Sequence, residues 1–169
     1  MTGAGFTVWV TGPEESTVRA LADAVAARLA ARHVPVEFLD ERTPGIDALA
    51  GAGLERRVAF VARTLARHGV STVVALAAST RAGRNGARAE LERVIEVYVH
   101  EGAGGGGAGY EPPERAEVEV LVPEPSPGGG VQRTLRTLEL LGFLTPGDRV
   151  YSEEEEREVI RRLKAFGYL

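Results

Sequence analysis

The segment VTGPEESTVRALADAV, residues 10–25, has the outline of a strand, a short loop and a helix. The apolar, β-branched run that begins at Phe6 ends at Gly12, as a buried strand followed by a turn does. Ser16 or Thr17 is placed to cap the helix that follows. Apolar residues then recur at helical spacing, at Val18, Leu21, Ala22, Val25 and Leu29. This opening unit predicts an α/β fold and sets the expectation for the rest of the chain.

Strands and helices alternate along the remaining sequence. Further apolar runs predict buried strands, VEFLD at 36–40, VSTVVALAA at 70–78, IEVYVH at 95–100 and AEVEVLV at 116–122. Helical patterns are RRVAFVARTLARHG at 56–69, with Gly69 as its left-handed cap, RNGARAELERV at 84–94 and VQRTLRTLELLGFL at 131–144. This order predicts a mostly parallel five-stranded sheet with the opening strand near its centre and helices on both faces. Ligands of such sheets bind at the carboxyl ends of the strands.

The composition excludes several classes of protein. The 169 residues fit one domain, and no apolar run reaches the roughly 20 residues that cross a bilayer. The N-terminus also lacks a secretory signal, so a cytoplasmic location is expected. The chain has no cysteine and its histidines, His33, His68 and His100, lie far apart, so no metal site is predicted. The net charge of −4 argues against a nucleic-acid-binding protein.

Two segments interrupt the alternation. EGAGGGGAGYEPPE, residues 101–114, is too rich in glycine and proline for a helix or strand and is predicted to be a mobile loop. Residues 145–151 form a linker, and residues 152–169 form an amphipathic helix with a capping box of Ser152 and Glu155. The apolar stripe of this helix consists of Val159, Ile160, Leu163 and Phe166. We expect the stripe to pack on a protein surface, either the chain's own domain or a protein partner such as the second subunit of a homodimer.

The order of these elements resembles the adenylylsulfate kinases (APS kinases), P-loop enzymes that phosphorylate the 3′-hydroxyl of adenosine 5′-phosphosulfate with ATP. GFTVWVTG and VEFLD look like the first two strands of that family, and ARHGVSTVVALAAS looks like its second helix end, third strand and following serine. TRAGRNGAR, IEVYV and GYEPPERAEVEV are similar to the family's later segments, up to strand five. The resemblance covers about residues 5–144. It implies a three-layer P-loop kinase-like fold for residues 1–144 and a link to sulfate assimilation.

The phosphate-binding residues of the family are missing at the loop. A working phosphate loop reads G-x-x-x-x-G-K-[ST], in which backbone N–H groups and the lysine hold the phosphates and the hydroxyl binds Mg²⁺. Aligned without gaps from Gly12, the chain has Thr17, Val18 and Arg19 in place of the second glycine, the lysine and the hydroxyl residue. The other alignment deletes three loop residues and sets Ser16 and Thr17 on the family's Ser-Thr pair, but it still offers no lysine.

Other positions that the resemblance implies also differ. Of the D-G-D-x-x-R motif Asp40 remains, while Arg42 stands for the second aspartate and Gly45 for the arginine. The R-x-x-N-I-R-R segment keeps only Arg56 and Arg57, and the glycine-rich loop replaces the family's basic lid. Since lid closure excludes water and positions charge on the transferred group, kinase turnover is not expected. ATP and Mg²⁺ are implied as cofactors only if the chain is nonetheless a kinase.

The candidates for holding a ligand at this end of the sheet are Gly12, Ser16, Thr17, Arg19, Asp40, Ser79, Arg81 and Arg84. Each has a structural alternative, since Ser16 and Thr17 could cap the helix, Asp40 could cap a turn, and the arginines could form a solvated helix face. Three functions remain open. The substitutions favour a catalytically inactive, adenylylsulfate kinase-like protein that binds a partner or homodimerises. The alternatives are a module that binds an adenine nucleotide or sulfonucleotide without turnover, and a weak or altered adenylylsulfate kinase.

Overall fold

The computed structural model describes residues 4–46, 53–77, 80–102, 109–124, 128–147 and 153–169. Its strands are β1 (Thr7–Thr11), β2 (Val36–Asp40), β3 (Ser71–Ala75), β4 (Val94–His100) and β5 (Val118–Leu121). Its helices are α1 (Glu15–Ala31), α2 (Leu54–Arg67), α3 (Arg81–Ala89), α4 (Gly129–Leu140) and α5 (Glu153–Ala165). The strands form one parallel sheet in the order β2-β3-β1-β4-β5. The predicted α/β fold and the central place of the opening strand are confirmed.

The central strand explains how the two layers of helices are held. Along β1, Val8 and Val10 face the larger core, which contains residues of α1 and α4, whereas Trp9 faces a second core with α2 and α3. Every residue of β1 is buried, as expected for a strand covered on both faces. Because parallel strands end at the same edge of a sheet, the β1–α1 loop, Asp40 and the start of α3 all lie at the carboxyl edge.

The start of α1 differs from the sequence prediction. The helix begins at Glu15, and the cap residue Glu14 makes no side-chain capping bond. Ser16 and Thr17 therefore lie in the first helical turn, and the prediction that one of them caps α1 is wrong. The sequence could not distinguish these positions, because polar residues that suit a helix start are adjacent there.

The start of α3 differs as well, whereas the end of α2 agrees with the prediction. α3 begins at Arg81 and not at residue 84, since the Thr80 hydroxyl accepts a hydrogen bond from the Gly83 N–H (3.2 Å) and caps the helix. After α2, Gly69 has a left-handed φ of 78°, and its N–H donates to the Ala66 carbonyl (3.1 Å). The predicted glycine cap is thus confirmed.

The C-terminal helix packs on its own domain. Val159 and Leu163 are buried, and α5 lies against α4. Ile160 and Phe166 are half-buried. The sequence predicted that this stripe packs either on the chain's own domain or on a protein partner, and in the structure it packs on the chain's own domain.

Some expectations fall outside the described residues. These are Ser79, Ser152, the linker residues 148–151 and residues 103–108 of the glycine-rich loop. Within the described ranges, none of the helices combines the length and apolar character that crossing a membrane requires. The same ranges hold no group of three or more histidine, aspartate or glutamate side chains arranged to bind a metal ion.

Candidate functional site

The connection between β1 and α1 consists only of Gly12, Pro13 and Glu14. The N–H of Val18 already donates to the Glu14 carbonyl (3.0 Å), as the first bond of the helix. Gly12 is required for close packing, because a Cβ there would lie 2.3 Å from the Val99 carbonyl oxygen of β4. A phosphate loop needs a wider turn of backbone whose N–H groups converge on the anion. A connection of this length does not provide that turn.

The orientation of α1 decides between the two alignments of this segment. Val18 is 1% exposed and packs in the larger core, so its side chain does not face a position where a phosphate could bind. Glu15 opens the helix, and Ser16 and Thr17 follow in the first turn. This is the arrangement expected from the alignment with three deleted residues, whereas the ungapped alignment does not fit the fold. In that alignment the lysine position of the family's motif falls on Glu15.

Arg19 and Asp40 form an ion pair between α1 and the end of β2. The Asp40 side chain is buried, and its Oδ1 also accepts hydrogen bonds from the Arg42 N–H (3.0 Å) and the Thr43 hydroxyl (2.9 Å). Burial acts to raise the pKa of Asp40, but these hydrogen bonds and the charge of Arg19 lower it below its ordinary value. Asp40 thus caps the turn after β2, and it holds the guanidinium of Arg19 beside that turn.

A surface groove of about 550 Å³ lies beside the start of α1. Its lining residues are Glu14, Glu15, Ser16, Arg19, Ala20, Asp23 and Arg42. Both arginines are paired within the chain, Arg19 with Asp40 and Arg42 with Glu15 (2.7 Å). Burial, together with the neighbouring Glu15 and Asp40, raises the pKa of Glu41 above its ordinary value. These residues do not fit a triphosphate with Mg²⁺, because the carboxylates repel the phosphates and the cations are already neutralised.

The arginines of α3 bind the chain's own carboxylates. The Arg81 guanidinium donates to Glu114 (2.7 Å), and the Arg81 backbone N–H donates to Glu111 (2.7 Å). Arg84 is 4% exposed, and its Nε donates to Glu96 (3.1 Å). Arg84 is therefore not part of a solvated helix face. The donors that were candidates for holding a phosphate or sulfate here are engaged inside the chain.

Tyr110, at the end of the glycine-rich loop, lies at the carboxyl edge and was not among the predicted residues. Its hydroxyl hydrogen-bonds to the Thr11 hydroxyl at the end of β1 (2.9 Å). The Tyr98 ring stacks on it at 6.0 Å, and the Arg84 guanidinium lies 5.0 Å from its ring centroid. Burial raises the pKa of Tyr110 to about 12. A tyrosine between a glycine run and a proline pair was the available signal in the sequence.

A buried network of charges lies behind this edge. Glu117 is 1% exposed, pairs with Arg88 and accepts the backbone N–H of Glu96 (2.6 Å). Burial acts to lower the pKa of Arg88, but its bonds to Glu117 raise it above the ordinary value. Burial also raises the pKa of Glu96. The signal that could have found the network is a glutamate inside each of two apolar strand patterns and an arginine pair, Arg84 and Arg88, one helical turn apart.

The structure brings the predicted site residues together in two separate groups. Gly12, Ser16, Thr17, Arg19 and Asp40 surround the start of α1 and the end of β2. Arg81 and Arg84 instead contact the segment 110–114. Ser79 lies outside the described residues.

Comparisons with known proteins agree with this architecture. A family profile described as adenylylsulphate kinase matches residues 4–104. The chain is 31% identical to a probable adenylyl-sulfate kinase of Pyrococcus abyssi, with 98% of each chain covered. It is also 31% identical to an adenylyl-sulfate kinase of a Synechococcus strain, with 95% of this chain and 86% of the relative covered.

Solved structures show the same fold. A hexameric APS kinase from Thiobacillus denitrificans is 27% identical, with a TM-score of 0.70 over 86% of this chain and 31% of that chain. A Mycobacterium tuberculosis APS kinase is 24% identical, with a TM-score of 0.68 over 81% of this chain and 99% of that chain.

Proposed function

This chain belongs to the adenylyl-sulfate kinase family, and we propose that within the family it acts by binding and not by transferring phosphate. Its binding target is a protein partner or a second copy of itself, in the setting of sulfate assimilation. The observation that carries the proposal is the start of α1, where Glu15 follows a connection of residues 12–14 and stands in place of a lysine. Removing one such stabilising charge costs on the order of 3 kcal/mol of transition-state stabilisation.

The other charged groups of the site support the same proposal. Phosphoryl transfer depends on positive charge that is preorganised around the transferred group. Arg19 is paired with Asp40, and Arg42, which stands for the second aspartate of the family motif, is paired with Glu15. Each pairing neutralises a cation that a phosphate would need.

Adenylyl-sulfate kinase activity in a weak or altered form is the second candidate function. The comparisons favour it over inactivity, because relatives that align with nearly the whole chain at 31% identity carry that name. ATP and Mg²⁺ would then be its cofactors, and the hydroxyl of Ser16 or Thr17 would be the magnesium ligand. A third function would be binding of an adenine nucleotide or sulfonucleotide without turnover, which requires a ligand site but no phosphate transfer.

A coupled assay of ADP release with ATP, Mg²⁺ and adenosine 5′-phosphosulfate separates these functions. We expect no release above that of a heat-inactivated sample, with the Synechococcus enzyme as the positive control. Release that requires both substrates and scales with protein concentration would overturn the proposal in favour of the kinase. Calorimetry with the same compounds tests the third function, since a Kd near 1 μM corresponds to about −8 kcal/mol and requires a formed site.

Self-association is tested by light scattering on the full chain. The hexameric relative is a precedent for assembly in this family. We expect a mass of at least twice the 18.0 kDa of one chain. A monomer at every concentration would remove self-association and leave a separate protein partner as the binding target.

A further inference from the structure

The C-terminal tail reaches the buried charge network directly. The Tyr168 hydroxyl, which follows α5, donates to Glu117 Oε1 (2.8 Å) and accepts from Arg88 Nη2 (2.8 Å). Glu117 is almost completely buried. A side chain from the tail therefore completes the hydrogen bonding of a carboxylate inside the domain.

From Glu117 the network continues to Glu96 of β4 and Arg84 of α3. The other carboxylate oxygen, Oε2, accepts from Arg88 Nη1 (3.1 Å) and from the Glu96 N–H (2.6 Å). Glu96 in turn accepts a hydrogen bond from Arg84 Nε (3.1 Å). Trp9 lines a cavity of about 10 Å³ together with Arg84, Arg88 and Glu96, so the indole lies beside this part of the network.

The last contacts of the network lie at the candidate site. The Arg84 guanidinium lies over the Tyr110 ring, 5.0 Å from its centroid, and the Tyr110 hydroxyl meets Thr11 at 2.9 Å. Thr11 is the last residue of β1 and precedes Gly12. An unbroken series of contacts thus joins the tail to the carboxyl edge of the sheet.

The tail makes several polar contacts with β5 and with the segment before it. Arg162 donates to the Ala116 carbonyl (3.2 Å) and to Glu119 (2.6 Å). Arg115 donates to the Phe166 carbonyl (2.9 Å). Only Val159 and Leu163 are buried among the residues of α5. An element held by few buried apolar residues opens at a lower free energy than the core of the domain.

We propose that α5 and Tyr168 act as a clasp on the candidate site. When docked, they fix Glu117 and Arg88, and through these residues they hold Arg84 and Tyr110 beside the end of β1. Release of the tail frees the segment 109–118 and opens the carboxyl edge, where parallel sheets bind ligands. The clasp does not depend on whether the chain transfers phosphate.

The test uses two variants of the tail in the full chain, Tyr168→Phe and Arg162→Ala. Tyr168→Phe removes the hydrogen bonds to Glu117 and Arg88, and Arg162→Ala removes those to Ala116 and Glu119, while the buried apolar residues of α5 are unchanged. Hydrogen exchange of residues 109–118 should rise at least about fivefold in either variant, because the loss of each hydrogen bond changes a local opening equilibrium by about that factor. The emission of Trp9, the only tryptophan of the chain, should shift in both variants, because the indole lies beside the network.

Neighbouring positions provide matched controls. Arg161 pairs with Glu158 on the same helix, and Leu169 is exposed, so Arg161→Ala and Leu169→Ala should leave the exchange of residues 109–118 and the Trp9 emission unchanged. The clasp is disproved if Tyr168→Phe and Arg162→Ala loosen only residues 153–169, or if the control variants change residues 109–118 equally.

Discussion

Arg19 of α1 and Asp40 at the end of β2 form an ion pair that joins the helix to the strand. The pair fixes the start of α1 against the carboxyl edge of the sheet. It also neutralises the charge of Arg19, which lines the groove. Since the Asp40 side chain is buried, the pair contributes to stability as well as to the character of the site.

Asp40→Asn should lower the free energy of unfolding at pH 7 by about 1–3 kcal/mol, because it removes a buried charged acceptor. The pKa of Asp40 is lower in the folded protein than its ordinary value. The stabilisation from the ionised carboxylate is therefore present above the unfolded-state pKa, near 4, and is lost as the pH falls through the folded pKa. Urea unfolding should show the difference between wild type and Asp40→Asn at pH 7, and this difference should shrink as the pH is lowered below the unfolded-state pKa, near 4.

Asp23 provides the control for this measurement. It lies 3.8 Å from Arg19 Nε on the exposed side of α1. Asp23→Asn should change stability by less than about 0.5 kcal/mol. Equal losses for the two aspartates, or a difference for Asp40→Asn that does not vary with pH, would contradict the assigned role of Asp40.

Gly12→Ala and Gly86→Ala should have opposite effects on thermal stability. A Cβ at Gly12 would lie 2.3 Å from a backbone oxygen, that of Val99, so we expect a loss of about 1–3 kcal/mol. A Cβ at Gly86 in α3 meets only the Arg56 side chain, at 3.6 Å, and alanine favours a helix by about 0.5–1 kcal/mol over glycine. Thermal unfolding should therefore give a lower Tm for the first variant and a higher Tm for the second. An unchanged or higher Tm for Gly12→Ala would show that the backbone around Gly12 can move apart, and a lower Tm for Gly86→Ala would contradict the prediction for α3.

Restoring the phosphate-loop residues of the ungapped alignment should not restore a kinase. The triple variant Thr17→Gly, Val18→Lys and Arg19→Ser places an ammonium group at a core position, since Val18 is 1% exposed. We expect no ADP release and a loss of at least about 3 kcal/mol of stability. Ala27→Lys, on the exposed side of the same helix, should keep the stability of the wild type. Turnover by a folded triple variant would contradict the position given to Val18.

The sheet could be predicted from the sequence because its signals are local, but the site could not. The continuous apolar run of β1 and the glycine after α2 fix a strand and a helix end from neighbouring residues alone. The burial of Arg84 depends instead on Glu96 and Glu111, which lie 12 and 27 residues away. The length of the β1–α1 connection depends on which of several adjacent polar residues begins the helix. Long-range pairing and loop length are the two features that a single sequence does not specify.

Glu117→Gln should lower the free energy of unfolding more than the same substitution at Glu119 in β5. The Glu117 side chain is 1% exposed and is paired with Arg88. This pairing raises the pKa of Arg88, so the guanidinium keeps its charge. Glutamine has the same shape but removes the nearer counter-charge of the guanidinium and leaves only Glu96, at 3.9 Å. Breaking a buried ion pair costs about 3–5 kcal/mol. Glu119→Gln is the matched control, since the Glu119 side chain is 40% exposed, and it should cost less than about 1 kcal/mol. Urea unfolding followed by Trp9 emission measures both losses. Equal small losses would show that the carboxylate of Glu117 is solvated in solution, and the buried network would then be no more than a surface ion pair.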